Sequence, residues 1–169
     1  MELENACNQL NTQGQAILHL ASDLSLEQVR WKPDAHSWSV LEVMNHLVDE
    51  EVLDFRRHLD HILHTPGEPW PEIDPQGWVT SKHYNERQIE ETLAAFTAER
   101  EKSIAWLQSL SDPDFDAAIP MPWGSLSAGD MLASWLAHDL LHLRQLIELR
   151  YALTQQASTP YSVEYAGGW

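Results

Sequence analysis

HSWSVLEVMNHLVDEE, residues 36–51, holds a helix start, an apolar run and one histidine that the apolar pattern does not require. Ser39 stands three residues before Glu42, the spacing at which a capping box lets each side chain bond the other's backbone N–H. Val40, Met44, Leu47, Val48, Phe55, Leu59 and Ile62 follow at steps of three and four, so a helix is expected over about 40–64. His46 falls nearly opposite Met44 on that wheel, on a strip with Glu50, Leu53 and Arg57. Position alone leaves two readings open: a solvated surface histidine, or a ligand in a groove lined by another helix.

Upstream, Leu3, Ala6, Cys7, Leu10, Gly14, Ile17, Leu18, Ala21 and Leu24 form an amphipathic stripe that predicts a helix over about 2–23. Cys7 lies on its apolar face and is expected to be a small buried hydrophobe rather than a reactive thiol. Downstream, TPGEPWPEIDPQGWVT (65–80) carries four prolines, two glycines and two tryptophans, which excludes a continuing helix and predicts an ordered crossover. Long loops of this kind often cover a site. Ile89, Leu93, Phe96, Arg100, Ile104, Leu107 and Leu110 set a third helix at about 84–110, with Glu86, Glu90 and Glu91 at its dipole-favoured start. A second crossover, SDPDFDAAIPMPWGSL (111–126), leads to Ser127 and Asp130, which cap a fourth helix at about 128–153.

No segment gives a strand pattern. Four long helices joined by two non-trivial connections predict an all-α, antiparallel four-helix bundle with long crossovers, one domain spanning residues 1–169. The tail 154–169 is expected to fold back through Tyr161, Tyr165 and Trp169.

The 169-residue length suits one core, and 43% hydrophobic residues with eight tryptophans supply it. Ten Lys and Arg against 26 Asp and Glu give a formal charge of -16, which repels phosphate backbones and anionic membranes, so no nucleic-acid partner is expected. No stretch approaches the roughly 18 apolar residues of a membrane span, and the acidic start lacks the features of a secretory signal. A cytoplasmic protein is the expectation.

Nine histidines is a high count. His19 faces away from its stripe, while His58, His61 and His64 crowd a helix end where terminal carbonyls accept an imidazole N–H; these are structural or solvated. His36 and His83 have no spaced partner. His138 and His142 differ, because AHDLLH sets them four residues apart on one helix face, a bidentate metal geometry beside Met131, Trp135, Gln145 and Leu149. Two imidazoles rarely hold a divalent ion tightly, whereas three do so and leave positions open, and His46 is the natural third candidate.

WSVLEVMNHLVDEE (38–51), AHDLLHLRQL (137–146) and a tail ending YAGGW (165–169) resemble the DinB-like (YfiT-like) family of metal-binding four-helix bundles over essentially the whole chain. The resemblance implies a divalent metal on His46, His138 and His142, with zinc or nickel ahead of iron or manganese. Glu50 also matches a recurrent acid of that family, either a hydrogen-bond partner of a ligand or a helix salt bridge, and in a metal-site reading Glu50 or Asp139 orients a ligand imidazole. Such relatives include transferases that use low-molecular-weight thiols, so the implied activity is thiol S-transfer to an electrophilic small molecule. A non-catalytic, stress-related metal or small-ligand binder and a metal-dependent hydrolase are the alternatives. Related bundles pair, which implies a homodimer.

Overall fold

The computed structural model describes residues 2–167. Its long elements are α1 (Leu3–Ala21), α3 (Val40–Asp49) continuing through a π-helical segment (Glu50–Phe55) into α4 (Arg56–His64), α6 (Ile89–Ser109) and α7 (Ala128–Ala157). Short helices α2 (Leu26–Arg30) and α5 (Pro75–Ser81) lie in the connections. The fold is a four-helix bundle, and no helix among the described residues is long and apolar enough to cross a membrane.

Two core clusters fix the helix directions. The first gathers Cys7 and Leu10 of α1, Leu59 and Ile62 of α4, Leu107 of α6 and Leu132 and Trp135 of α7. The second gathers Ile17 of α1, Val43 and Met44 of α3, Phe96 of α6 and Leu146 of α7. The chain therefore runs from the first cluster to the second along α1 and α7, and back along α3–α4 and α6. Packed neighbours include α1 with α7 and α3 with α6, each a parallel pair. A parallel pair cannot close with a tight turn, so residues 65–88 must climb the whole bundle before α6 begins. That climb is why the proline-rich crossover exists, and its α5 packs against α3.

The caps form as the sequence predicts. Ser39 Oγ accepts from the Glu42 N–H at 3.1 Å while Glu42 accepts from the Ser39 N–H at 2.8 Å, and Ser127 with Asp130 repeats the arrangement. Cys7 is buried, and burial pushes its thiol pKa up.

Several expectations need correction. Residues 118–127 form an antiparallel hairpin, β1 (Ala118–Met121) with β2 (Gly124–Ser127), where no strand was expected. Pro120 argued against a strand, yet a two-stranded ribbon has free edges that need no N–H from proline, and Ile119 buries into the first core cluster. The last helix continues to Ala157, and the third begins at Ile89. Tyr161 and Tyr165 stand exposed rather than folding onto the bundle, and Trp169 lies outside the described residues. Of the two readings open for His46, the structure bears out the groove and not the solvated surface: every residue from Val40 to Leu47 is buried, with α5, the 3-10 turn Tyr84–Glu86 and α7 packing against α3 in addition to α6.

Candidate metal centre

His138 and His142 project from α7 one turn apart, and His46 reaches them from α3. His142 Nε2 lies 3.1 Å from His138 Nε2, which in turn lies 3.4 Å from His46 Nε2. The three rings offer nitrogens that all fall within 4.8 Å of one another. Aromatic rings wall the group: Trp38 sits 4.9 Å from the His46 ring and parallel to His142 at 6.5 Å, and Phe55 sits 4.8 Å from His138.

Burial, reinforced by the charge of its neighbour His142, holds His46 down to about 3. Burial and the charges of His142 and His46 do the same for His138, also about 3. His142 is lowered by burial too, against the opposing pull of its bond to Gln145 and of the Asp139 charge. All three imidazoles are therefore neutral at ordinary pH, the state in which each keeps one nitrogen lone pair. Gln145 Oε1 accepts from His142 Nδ1 at 2.8 Å, which places the lone pair of His142 on Nε2, facing the other two rings.

Glu50 completes the group. Its carboxyl oxygens lie 4.0 Å from His46 Nδ1 and 3.9 Å from His138 Nε2. Burial, with a hydrogen bond to Asp54 and the charges of Asp54 and Asp49, pushes its carboxyl up to about 9. Glu50 Oε1 and His46 Nδ1 are buried with no hydrogen-bond partner among the described residues. Imidazole lone pairs aimed at one another, with a buried Glu50 oxygen beside them that has no hydrogen-bond partner, are what a bound cation would resolve, so the donor set fits a divalent metal of borderline softness.

Of the two acids expected to orient an imidazole, Glu50 lies beside the rings and Asp139 does not hydrogen-bond to them. Asp139 instead gives both oxygens to Arg100, at 2.6 and 2.9 Å. Arg100 also bonds Glu51 at 2.9 and 3.0 Å and the Leu10 carbonyl at 2.8 Å, all in the bundle interior. Burial opposes the Arg100 charge, but Asp139 and Glu51 more than restore it and raise its pKa. Arg100 thus clamps α7 through the residue next to His138.

The π-helical segment begins at Glu50. A wider turn rotates everything after it relative to an uninterrupted α-helix, and such turns recur at functional sites. Beyond it His58 is buried, lies 2.6 Å from Asp54 Oδ1 and bonds the Pro71 carbonyl at 2.8 Å, with Trp70 stacked on its ring at 4.0 Å. His58 therefore ties the crossover to the helix that carries Glu50. His61 packs edge-on to Trp70, while His64 and His19 are exposed.

Gln145, Trp38 and Asp54 were not singled out from sequence. Gln145 had a usable signal, three residues after His142, whereas nothing in a one-dimensional pattern marks which aromatic will wall a cluster. The three histidines, Glu50, Trp38 and Gln145 face a cavity of about 610 Å³, its other side closed partly by Pro75 and Gln76 of the crossover.

A helical bundle with three neutral imidazoles converging from two helices on an open cavity defines the class of protein with a histidine-built candidate metal centre. The model of the DinB superfamily matches residues 9–146, and the chain belongs to that superfamily. Its structure is similar to that of YfiT from Bacillus subtilis, described as "a probable metal-dependent hydrolase with an unusual four-helix bundle topology". The TM-score is 0.78 at 17% identity, covering 90% of this chain and 88% of that one, a likeness of fold. No curated protein matches the sequence at a significant level.

Proposed function

We propose that this protein is a divalent-metal-dependent enzyme that transfers a low-molecular-weight thiol to an electrophilic small molecule. The observation that carries the reading is the convergence of three neutral imidazole nitrogens on the floor of a solvent-connected cavity. His46, His138 and His142 would hold the metal, and a ligand set of three histidines with no cysteine leaves coordination positions for an exogenous group, unlike a closed structural site. A divalent ion there supplies Lewis acidity toward a thiol or a water molecule.

The chain's own residues supply the rest. Gln145 fixes the His142 tautomer, and Trp38 and Phe55 hold the rings and exclude water from their edges. Burial keeps Glu50 protonated in the metal-free protein, placed to give a proton to a departing group; with a dication on the histidines its pKa falls and it can accept the thiol proton. In the net reaction a carbon–sulfur bond forms while the leaving group departs with the electrons of the bond it breaks.

A metal-dependent hydrolase is the second reading, and the Glu50 carboxyl favours it. A buried acid about 4 Å from two of the imidazoles, protonated in the metal-free protein, would have its pKa lowered by a dication held there and so could act as general base toward a water molecule. The alternative of a metal or small-ligand binder without turnover keeps the same site.

One experiment separates the three. Protein purified without a histidine tag is assayed for metal content, for thiol consumption with a chlorodinitrobenzene, and for hydrolysis of a panel of nitrophenyl esters, alongside His142→Ala. Metal-dependent thiol loss abolished by the substitution supports transfer, and ester cleavage without thiol supports hydrolysis. Metal retained with neither activity supports a binder, and a wild-type protein that takes up no divalent metal overturns the reading.

A further inference from the structure

The cavity above the triad has a charge pattern that none of the readings so far uses. Glu50 lies at its floor and Glu148 at its wall, Gln76 and Gln145 are neutral, and among the described residues no lysine or arginine lines it. Apart from the triad, His36 is the one lining side chain of a type that can carry a positive charge. Glu148 pairs with Arg144 at 3.3 Å, but Arg144 does not line the cavity, and with 71% and 45% of the two side chains exposed the pair is weak and open to competition. Trp38 adds an aromatic ring, a surface that attracts ammonium groups. The whole chain adds a formal charge of -16.

We infer that the cavity takes a small molecule with a donor atom at one end, directed at the three histidines, and an amine or quaternary ammonium at the other, directed at Glu148. This rests on the reading of the triad as a metal centre that accepts thiols. A carboxylate- or phosphate-bearing thiol meets no fixed cation on the cavity wall and is disfavoured by the surrounding field. Selectivity by charge at the far end is thus built into the wall, independently of the chemistry at the floor.

The test uses three thiols of similar size: thiocholine (cationic), 2-mercaptoethanol (neutral) and 2-mercaptoethanesulfonate (anionic, with a poorly ligating sulfonate). Each is titrated into the cobalt(II)-substituted protein and followed by the thiolate-to-cobalt charge-transfer band, with dissociation constants expressed per thiolate to remove differences in thiol acidity. The expected order is thiocholine tightest and the sulfonate weakest, with a spread of about tenfold that shrinks at 1 M salt, where screening acts over about 3 Å. Glu148→Gln should narrow the spread and Glu148→Lys should reverse it. Bands of equal or reversed order in the wild type, or an order indifferent to both substitutions, overturn this inference alone. Cobalt retained with no band from any thiol overturns the thiol reading as well, and failure to take up cobalt overturns the metal centre itself.

Discussion

His46 and His138 stand 92 positions apart in the chain, yet their Nε2 atoms approach to 3.4 Å across the interface of α3 and α7. Neither ring donates a charge-assisted bond there, because burial keeps both neutral. Replacing His46 with Ala should therefore remove a ligand without leaving an uncompensated charge. The expected outcome is loss of stoichiometric metal, by elemental analysis after dialysis, with helical circular dichroism retained. A variant that keeps full metal occupancy would falsify the triad.

Gln145 is expected to act on the metal through His142 alone, by holding the Nδ1 proton. Supporting hydrogen bonds of this kind are worth about 10- to 100-fold in metal affinity. Gln145→Leu should weaken competitive chelator-measured affinity by about that factor, while Gln145→Glu should preserve it. Unchanged affinity in the Leu variant would show that the hydrogen bond does not matter.

Arg100 is about 5% exposed and serves two buried acids at once. Arg100→Met leaves Glu51 and Asp139 unpaired, so denaturant unfolding should show a loss of about 3–5 kcal/mol. Glu51→Gln with Asp139→Asn in the same background should recover part of it, since the repulsion and burial of two charges are then removed. A single-variant loss below about 1 kcal/mol, in the range of a surface pair, would contradict the clamp.

Acid and base should each destabilise the metal-free protein, through different groups. The folded values of His46 and His138, about 3, lie below the ordinary imidazole value of about 6.5. Between these limits the unfolded chain binds protons that the folded one refuses, so their contribution is fully present above pH ~6.5 and is lost as pH falls toward 3. Glu50 has the reverse sign: its folded value, about 9, lies above the ordinary 4.5, so stability is lost as pH rises between the two. Chelated Glu50→Gln should accordingly be more stable than chelated wild type at pH 8, with the difference vanishing near pH 4.5. Melting temperatures across pH 4–9 test both slopes.

What could be read without coordinates was set by local rules. Ser39 with Glu42 and Ser127 with Asp130 are three-residue devices, so both helix starts were visible. His138 and His142 share a face because a step of four residues is just over one turn, which needs no partner helix. The hairpin at 118–127 was hidden because its prolines speak against a strand while its free edges tolerate them. His58 is a structural histidine, as its place near the helix end suggested, but that its carbonyl partner would be Pro71 of the crossover could not be read from spacing.

Sequence periodicity and capping chemistry alone determined four long helices, the proline-rich connections between them and one two-histidine face, since each arises from interactions within a few residues. Tertiary structure alone decided that His46 meets that face, that Asp139 serves Arg100 while Glu50 stands beside the rings, and that a cavity without fixed cations opens above them. Those outcomes depend on which helices become neighbours and how they rotate about their axes. Long-range burial and the Arg100 clamp fix that rotation, and no local spacing encodes it.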